Sequence, residues 1–119
     1  MLKKILFLFL LFSFASCLPK NIVGQWQGES ATVNGVEINA NFANILMDLG
    51  ADGSYQYKAT DNYMERGMYR IDGKFFITID TLNKKLDKMV EIEKLSSEHL
   101  VLKMKNLRNE IELLTLKKL

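Results

Sequence analysis

The chain has 119 residues, of which 16 are Lys or Arg and 14 are Asp or Glu, with one cysteine and one proline. This length suits one compact domain, and a single cysteine cannot form a disulfide within one chain. Lys3 and Lys4 lie in an N-terminal segment with the features of a removable signal, and the rest of the chain has 14 basic and 14 acidic residues. A neutral domain without a basic stripe argues against nucleic-acid binding.

The N-terminal segment has the layout of a secretory signal. Lys3 and Lys4 form a charged start, residues 5–12 contain no polar side chain, and Ala15 and Ser16 are small. A charged start, an apolar middle and small residues at the end are typical of a signal peptide. The apolar middle is shorter than the about 20 residues that a membrane-spanning helix needs. We therefore predict a targeting segment and not a membrane anchor.

The residues around the cysteine resemble the lipobox of bacterial lipoproteins. Two small residues precede Cys17, although Phe14 stands where that pattern prefers an aliphatic side chain. The resemblance implies that residues 1–16 are cleaved and that Cys17 becomes a new N-terminus carrying acyl chains such as palmitate. Residues 17–21 would then be a lipidated tether that places the protein in the bacterial cell envelope, on the outer membrane. The alternative is an ordinary signal peptide followed by an incidental cysteine.

Three Asn-Gly or Asp-Gly dipeptides divide the remaining sequence, at 34–35, 52–53 and 72–73. They are the strongest short-range signal of a β-hairpin, because their residues tolerate the positive φ of tight hairpin turns. Between these turns, apolar residues recur at every second position, which is the period of a strand. The predicted strands are 22–29, 36–42, 45–50, 54–60, 65–71, 75–81, 88–95, 99–105 and 110–117.

Eight or nine short strands with tight turns predict an all-β fold in one domain, either an antiparallel barrel or a sandwich. The C-terminal third also allows a helical interpretation. A heptad pattern runs through Leu100, Met104, Leu107, Ile111 and Leu114. Only two heptads support a helix, and Val101, Leu102 and Leu113 would leave its apolar face. We therefore prefer strands in this region.

Four segments, taken in order, resemble lipocalins and the small lipocalin-like domains of bacterial lipoproteins. They are "IVGQWQGES" (22–30), "LMDLGADGSYQYKAT" (46–60), "RGMYRIDGKFFI" (66–77) and "IEKLSSEHLVLKMK" (92–105). The first contains a Gly-x-Trp motif on the first strand, and the second contains a strand, an Asp-Gly turn and a strand. The resemblance implies an antiparallel up-and-down β-barrel of about eight strands over residues 22–119. No strand pairing can be assigned from the sequence to residues 31–44.

The same resemblance implies how one end of the barrel is closed. Gly24 would let the first strand bend or let another stretch of backbone approach, and Trp26 would fill the closed end. A basic side chain of the last strand, Lys117 or Lys118, would stack on the Trp26 ring as a cation–π pair. The alternative for Trp26 is a contact with a ligand; we prefer the structural role.

The function that this fold implies is non-enzymatic binding of a small apolar ligand inside the barrel. Candidate lining residues are Tyr55, Tyr57, Tyr69 and Phe75. An eight-stranded barrel is either filled by side chains or just able to hold one small ligand. The alternative function is a packed barrel that binds an envelope protein, as an inhibitor or assembly factor. Its contact loop would be residues 60–67, where Tyr63, Met64 and Arg66 are of types favoured at interfaces.

Catalytic and metal-binding residues are scarce in the sequence. His99 is the single histidine and Cys17 is expected to be acylated, so a nucleophile with a neighbouring base is hard to assemble. Glu91 and Glu93 could suit a cation, but a solvent-facing role is the simpler interpretation. The methionines could bind Cu(I) but are better explained as core residues. We therefore expect no enzymatic activity, no metal and no cofactor.

Overall fold

The computed structural model describes residues 18–19, 21–84 and 87–119. Nine strands follow one another along this part of the chain, joined by turns and by one short 3-10 turn at Thr60–Asn62. The strands are β1 (Gly24–Val33), β2 (Val36–Glu37), β3 (Leu46–Leu49), β4 (Ser54–Lys58), β5 (Met64–Asp72), β6 (Phe75–Asp80), β7 (Lys88–Leu95), β8 (His99–Lys105) and β9 (Ile111–Lys118).

The strands form one antiparallel sheet that closes on itself. Strands β3 to β9 pair with their neighbours in chain order, and β1 pairs with both β3 and β9. Closure removes the exposed edges that an open sheet would present. The barrel therefore has eight strands, β1 and β3 to β9, in up-and-down order. Strand β2 is a two-residue addition that pairs only with the end of β1.

The turn dipeptides act as the sequence predicts. Asn34 and Gly35 both have positive φ and join β1 to β2 by a two-residue hairpin loop. Gly73 also has positive φ and is the first residue of the two-residue loop between β5 and β6. In the β3–β4 loop, the Asp52 carboxylate accepts a hydrogen bond of 3.0 Å from the backbone N–H of Ser54. These contacts set the register of the hairpins.

The helical interpretation of the C-terminal third is wrong. Strands β8 and β9 pair over seven residue positions, with Leu100 opposite Leu116 and Leu102 opposite Leu114. All four of these leucines are buried in the barrel core. Leu107, which the heptad would bury, is fully exposed in the turn between the two strands. The two-residue period is therefore the one that the tertiary structure uses.

The predicted strand at 36–42 is mostly absent, since only Val36–Glu37 is a strand and residues 38–45, all of them described, contain none. Asn and Ala, which fill much of this segment, are unfavourable in strands. The segment instead folds against β1, where the Gly28 N–H donates to the Ile45 carbonyl at 2.9 Å. A side chain at Gly28 would meet the Phe42 carbonyl oxygen at 2.3 Å, so the close approach requires glycine. Phe42 and Ile45 are half-buried against the core.

Candidate functional site

One end of the barrel is closed around Trp26. The Trp26 side chain is fully buried, and its indole N–H donates a hydrogen bond of 2.9 Å to the Ile22 carbonyl. The ammonium of Lys118 lies 5.0 Å from the centroid of the Trp26 ring and donates to the Asn21 carbonyl at 3.0 Å. Trp26 and Lys118 are direct partners in the β1–β9 pairing, so both side chains point to the same face.

Gly24 allows this arrangement. Its φ is +140°, and a Cβ atom there would lie 2.8 Å from Cε of Lys118. Gly24 thus leaves room for the Lys118 side chain, whereas the sequence predicted room for another backbone or a bend in the strand. Lys117, the other candidate for the stacking role, is exposed and pairs with Gln27 on the alternate face. The order of facing residues in β9 therefore assigns the cation to Lys118.

A cavity lies inside the barrel toward the opposite, open end. Its volume is about 140 Å³. Its apolar walls come from five strands: Met47, Phe76, Val90, Leu102, Met104 and Leu114. A preformed apolar cavity with a few convergent polar groups is the usual form of a small-molecule site. This interior cavity is our candidate functional site.

The polar part of the cavity is centred on Glu65. The Glu65 side chain is fully buried. Its Oε1 accepts a hydrogen bond of 2.8 Å from the Tyr55 hydroxyl, and its Oε2 accepts from the Tyr63 hydroxyl and from the Lys88 ammonium. Lys88 reaches in from the first position of β7, and half of its side chain is exposed. The carboxylate is therefore paired and hydrogen-bonded, as a buried charge must be.

The environment of Glu65 determines its charge. Burial by itself raises the pKa of the carboxyl, but hydrogen bonds from Lys88, Tyr63 and Tyr55 outweigh that effect and hold the pKa of Glu65 below its ordinary value. Burial and the neighbouring Glu65 carboxylate raise the pKa of the Tyr55 hydroxyl, and the same two causes raise the pKa of Tyr57. At neutral pH the cavity therefore holds an ionised carboxylate and neutral phenols.

Strand geometry explains how these groups meet. On β5, Glu65 shares the inward face with Tyr69 and Ile71, because every second residue points to one side. On β7, Lys88 shares the inward face with Val90. The two residues are 23 positions apart in the chain and lie on strands separated by β6. Their pairing bridges the inner face of β6.

Two of the four candidate lining residues line the cavity. They are Tyr55 and Tyr57. Tyr69 is buried in the barrel core but does not line the cavity. Its ring stacks on Phe76 with 5.7 Å between centroids, and its hydroxyl donates to the Gly50 carbonyl at 2.8 Å. Phe75 faces outward, with the Lys74 ammonium 5.6 Å from its ring centroid. The aromatic lining residue of β6 is Phe76, because neighbouring residues of a strand face opposite sides.

The proposed partner loop is only in part a loop. Residues 60–62 form the 3-10 turn, and Met64 already belongs to β5. Tyr63 is half-buried, and its hydroxyl donates to Glu65, so this side chain is turned toward the cavity. Met64 is half-buried and Arg66 is exposed. Of the three candidate contact residues, Arg66 is the one that is exposed.

Neither Glu65 nor Lys88 was predicted from the sequence to be a site residue. A signal was present in "MERGMYRID", where Glu65 is in phase with Tyr69 and Ile71 on the apolar side of a strand. A charged residue in an inward position is informative, because charges are rarely buried without a partner. No sequence signal identified Lys88 as that partner, since the register between strands was unknown.

A second depression lies on the outer surface across β1, β3 and β4. Its volume is about 160 Å³, and its polar lining includes Gln25, Asp48, Gln56 and Lys58. These four side chains are exposed or half-exposed, so a molecule bound there would stay in contact with water. The interior cavity, by contrast, holds the fully buried Glu65 carboxylate.

Other chemistry-bearing residues have ordinary surroundings. His99 lies at the start of β8, with its Nε2 atom 3.4 Å from the exposed Glu29 carboxylate. Glu91 pairs with Lys74 at 2.9 Å and with Lys103 at 3.5 Å on the outer face. Within the described ranges, no group of three His, Cys, Asp or Glu side chains is placed to hold a metal ion. Cys17 and residues 1–16 lie outside the described residues.

The described residues contain no helix with the length and apolar character that a membrane span requires.

The fold defines the class of protein: a closed eight-stranded up-and-down barrel with a plugged end and an interior cavity. No protein-family model matches the sequence, and no curated protein matches it. Among solved structures, the chain is similar to a lipocalin-like protein from Bacteroides uniformis, with a TM-score of 0.62 and 14% sequence identity. The match covers 83% of this chain and 99% of that chain. The protein has a lipocalin-like fold, which confirms the fold predicted from the sequence.

Proposed function

We propose that this protein is a non-enzymatic binding protein that holds one small, largely apolar molecule inside its barrel. The observation that carries this proposal is the interior cavity of about 140 Å³, with apolar walls and one convergent set of polar groups. The polar set, Glu65 with Tyr55 and Lys88, would orient the ligand, and the apolar walls would supply most of the affinity. The lipocalin-like fold supports the same function.

The volume of the cavity limits the size of the ligand. An apolar protein cavity of about 150 Å³ is large enough to bind benzene. A ligand of comparable size, with one polar group, would fill the cavity of this protein. A larger molecule would have to extend through the open end, past Tyr63 and the 3-10 turn at Thr60–Asn62.

The same proposal includes attachment to the bacterial cell envelope through acyl chains on Cys17. Leu18 is half-buried against the core, and the Ile22 N–H donates to the Pro19 carbonyl at 3.1 Å. These contacts hold the start of the described chain at the end that Trp26 closes. A lipid on the preceding residue would keep this closed end near the membrane, and the open end would face away from it toward the aqueous phase.

Filling the cavity should abolish ligand binding. We expect Val90→Phe, which places a larger ring on the cavity wall, to lose bound small molecules that the wild type carries through purification. Met89→Phe is the matched control, because Met89 is the next residue on β7 and is 63% exposed on the outer face. Native mass spectrometry of residues 17–119 carrying Cys17→Ser measures the bound mass, and circular dichroism checks the fold. An empty wild type that also binds no added small apolar compound would contradict the proposed function.

Replacing the cysteine tests the tether. Cys17→Ser in the full chain should move the protein from the membrane fraction to the soluble fraction, because the serine hydroxyl does not replace the thiol in acyl attachment. Membrane fractionation followed by immunoblotting measures the distribution. Ser16→Ala, which keeps a small residue before the cysteine, should leave the protein in the membrane fraction. A Cys17→Ser protein that sediments with membranes as the wild type does would show that lipidation is not the anchor.

The alternative function, binding of an envelope protein through residues 60–67, has less support from the geometry. The Tyr63 side chain, the largest candidate anchor of that segment, donates its hydroxyl to the buried Glu65. An aromatic anchor at an interface would instead be presented to a partner. We therefore assign Tyr63 to the cavity in this proposal.

A further inference from the structure

We propose that the polar end of the cavity recognises a primary ammonium group, and that Lys88 occupies the position of this group when no ligand is bound. The ligand class would be a small apolar amine. This inference rests on the proposed function, because it names the chemistry of the ligand in the same cavity. It follows from three features: a fixed anion, a movable cation and an aromatic lining.

Glu65 is the fixed anion. It is fully buried, and two tyrosine hydroxyls from different segments hold its two oxygens: Tyr55 at Oε1 and Tyr63 at Oε2. An ionised carboxylate has about four acceptor positions, so these two bonds leave capacity for further donors. Because Glu65 is buried, its charge must be matched by a cation that comes to it.

Lys88 is the movable cation. Half of its side chain is exposed, and it reaches Glu65 from the first residue of β7. A lysine ammonium is a compact charge on a flexible four-carbon stem, and such a side chain readily extends into water. A ligand that offers the same charged group could take over the contact with Glu65 while Lys88 turns outward. The buried charge would stay paired throughout the exchange.

The walls suit an amine that carries an apolar group. The aromatic rings of Tyr55, Tyr57 and Phe76 line the cavity together with the thioether of Met47. Aromatic faces attract cations, and this attraction is stronger in a site shielded from water. The Tyr57 and Tyr63 rings meet edge to face, with 6.4 Å between their centroids. The carbon chain of the ligand would lie against the leucines and Met104 deeper in the wall.

The same charges disfavour an acidic ligand. A carboxylate in the cavity would bring a second negative charge beside Glu65 and would have to compete with Glu65 for Lys88. Leaving a buried carboxylate without its cation is strongly unfavourable. A neutral alcohol avoids the repulsion but cannot replace the charge of Lys88. The order of affinity should therefore be amine, then alcohol, then acid.

Three probes of nearly equal size test this order: n-hexylamine, n-hexanol and hexanoate, at neutral pH, where the amine is protonated and the acid ionised. Chemical-shift titrations by NMR on residues 17–119 carrying Cys17→Ser measure each affinity. In Lys88→Met we expect n-hexylamine to bind about tenfold or more tightly than in the wild type, which corresponds to about 1.4 kcal/mol. The affinity for n-hexanol should change little. Lys88→Gln serves as the second variant should Lys88→Met fold poorly.

Two further variants complete the experiment. Glu65→Gln removes the fixed anion and should abolish the preference for n-hexylamine over n-hexanol. Lys74→Met is the matched control, because Lys74 pairs with Glu91 on the outer face and not in the cavity. It should leave all three affinities unchanged.

The outcomes separate this inference from the proposed function. If n-hexanol binds but the affinity for n-hexylamine is no higher in Lys88→Met and Lys88→Gln than in the wild type, the ammonium site is wrong. The apolar cavity then remains a binding site. Tightest binding of hexanoate by the wild type would also overturn the inference, because Lys88 would then recognise an anion. Binding of none of the three probes by the wild type or by either Lys88 variant would count against both proposals.

Discussion

Replacing Trp26 by alanine should lower the free energy of unfolding by about 3–5 kcal/mol, the usual loss when a large buried aromatic is truncated. The ring is fully buried, and its removal would leave a void at the closed end beneath Lys118. The indole hydrogen bond to Ile22 would be lost as well. Because small domains are stable by about 5–15 kcal/mol, much of the folded population could disappear.

Urea unfolding followed by circular dichroism measures this loss. Phe75→Ala is the control, since Phe75 is an aromatic residue that is half-buried on the outer face, and its truncation should cost markedly less. As the sole tryptophan, Trp26 also reports on its own surroundings. Its emission should be blue-shifted in the folded wild type and unchanged by n-hexylamine or n-hexanol. A red-shifted emission that moves with either compound would place Trp26 in the ligand site.

The second large effect should be an asymmetry between the two partners of the buried ion pair. Lys88→Met leaves the Glu65 carboxylate buried with only hydroxyl partners, so it should destabilise the protein by about 1–3 kcal/mol at neutral pH. Glu65→Gln should cost less, because Lys88 is half exposed and can place its ammonium in water. Lys74→Met, at an exposed pair, should change stability by less than about 1 kcal/mol. Urea unfolding of the three variants measures the order.

The pH dependence checks that this effect comes from Glu65. The pKa of Glu65 is lowered in the folded protein, so its ion pair stabilises the fold above the unfolded-state pKa of about 4.3. This contribution is lost as the pH falls through the lower, folded-state pKa. The difference in stability between the wild type and Lys88→Met should therefore be largest at neutral pH and disappear in acid. A difference that is independent of pH would indicate lost packing of the lysine side chain and not lost pairing.

Local sequence patterns were enough to predict most of the strands and the hairpin turns between them. Glycine next to Asn34, Asp52 and Asp72 marks backbone positions that ordinary side chains adopt poorly, so the turns could be read residue by residue. The resemblance to lipocalins predicted a basic side chain on Trp26. The conformation of residues 38–45 could not be predicted in this way. These residues are ordered by isolated contacts with β1 and with the core, and such contacts leave no periodic pattern in the sequence.

Only the tertiary structure decided which face each residue occupies and which strands meet across the barrel. Neighbouring residues of a strand face opposite sides of the sheet. Phe76 therefore lines the cavity while Phe75 faces outward, and Lys118 lies on Trp26 while Lys117 is exposed. Glu65 and Lys88 are 23 residues apart on strands that are not neighbours, and they meet because β5 and β7 both pair with β6 and turn these side chains to the same inner face of the sheet. The sequence by itself determined the period of the strands and the positions of the glycine-containing turns after β1, β3 and β5. The register of pairing and the closure of the barrel depend on long-range contacts, so the candidate site became visible only when the strands were assembled.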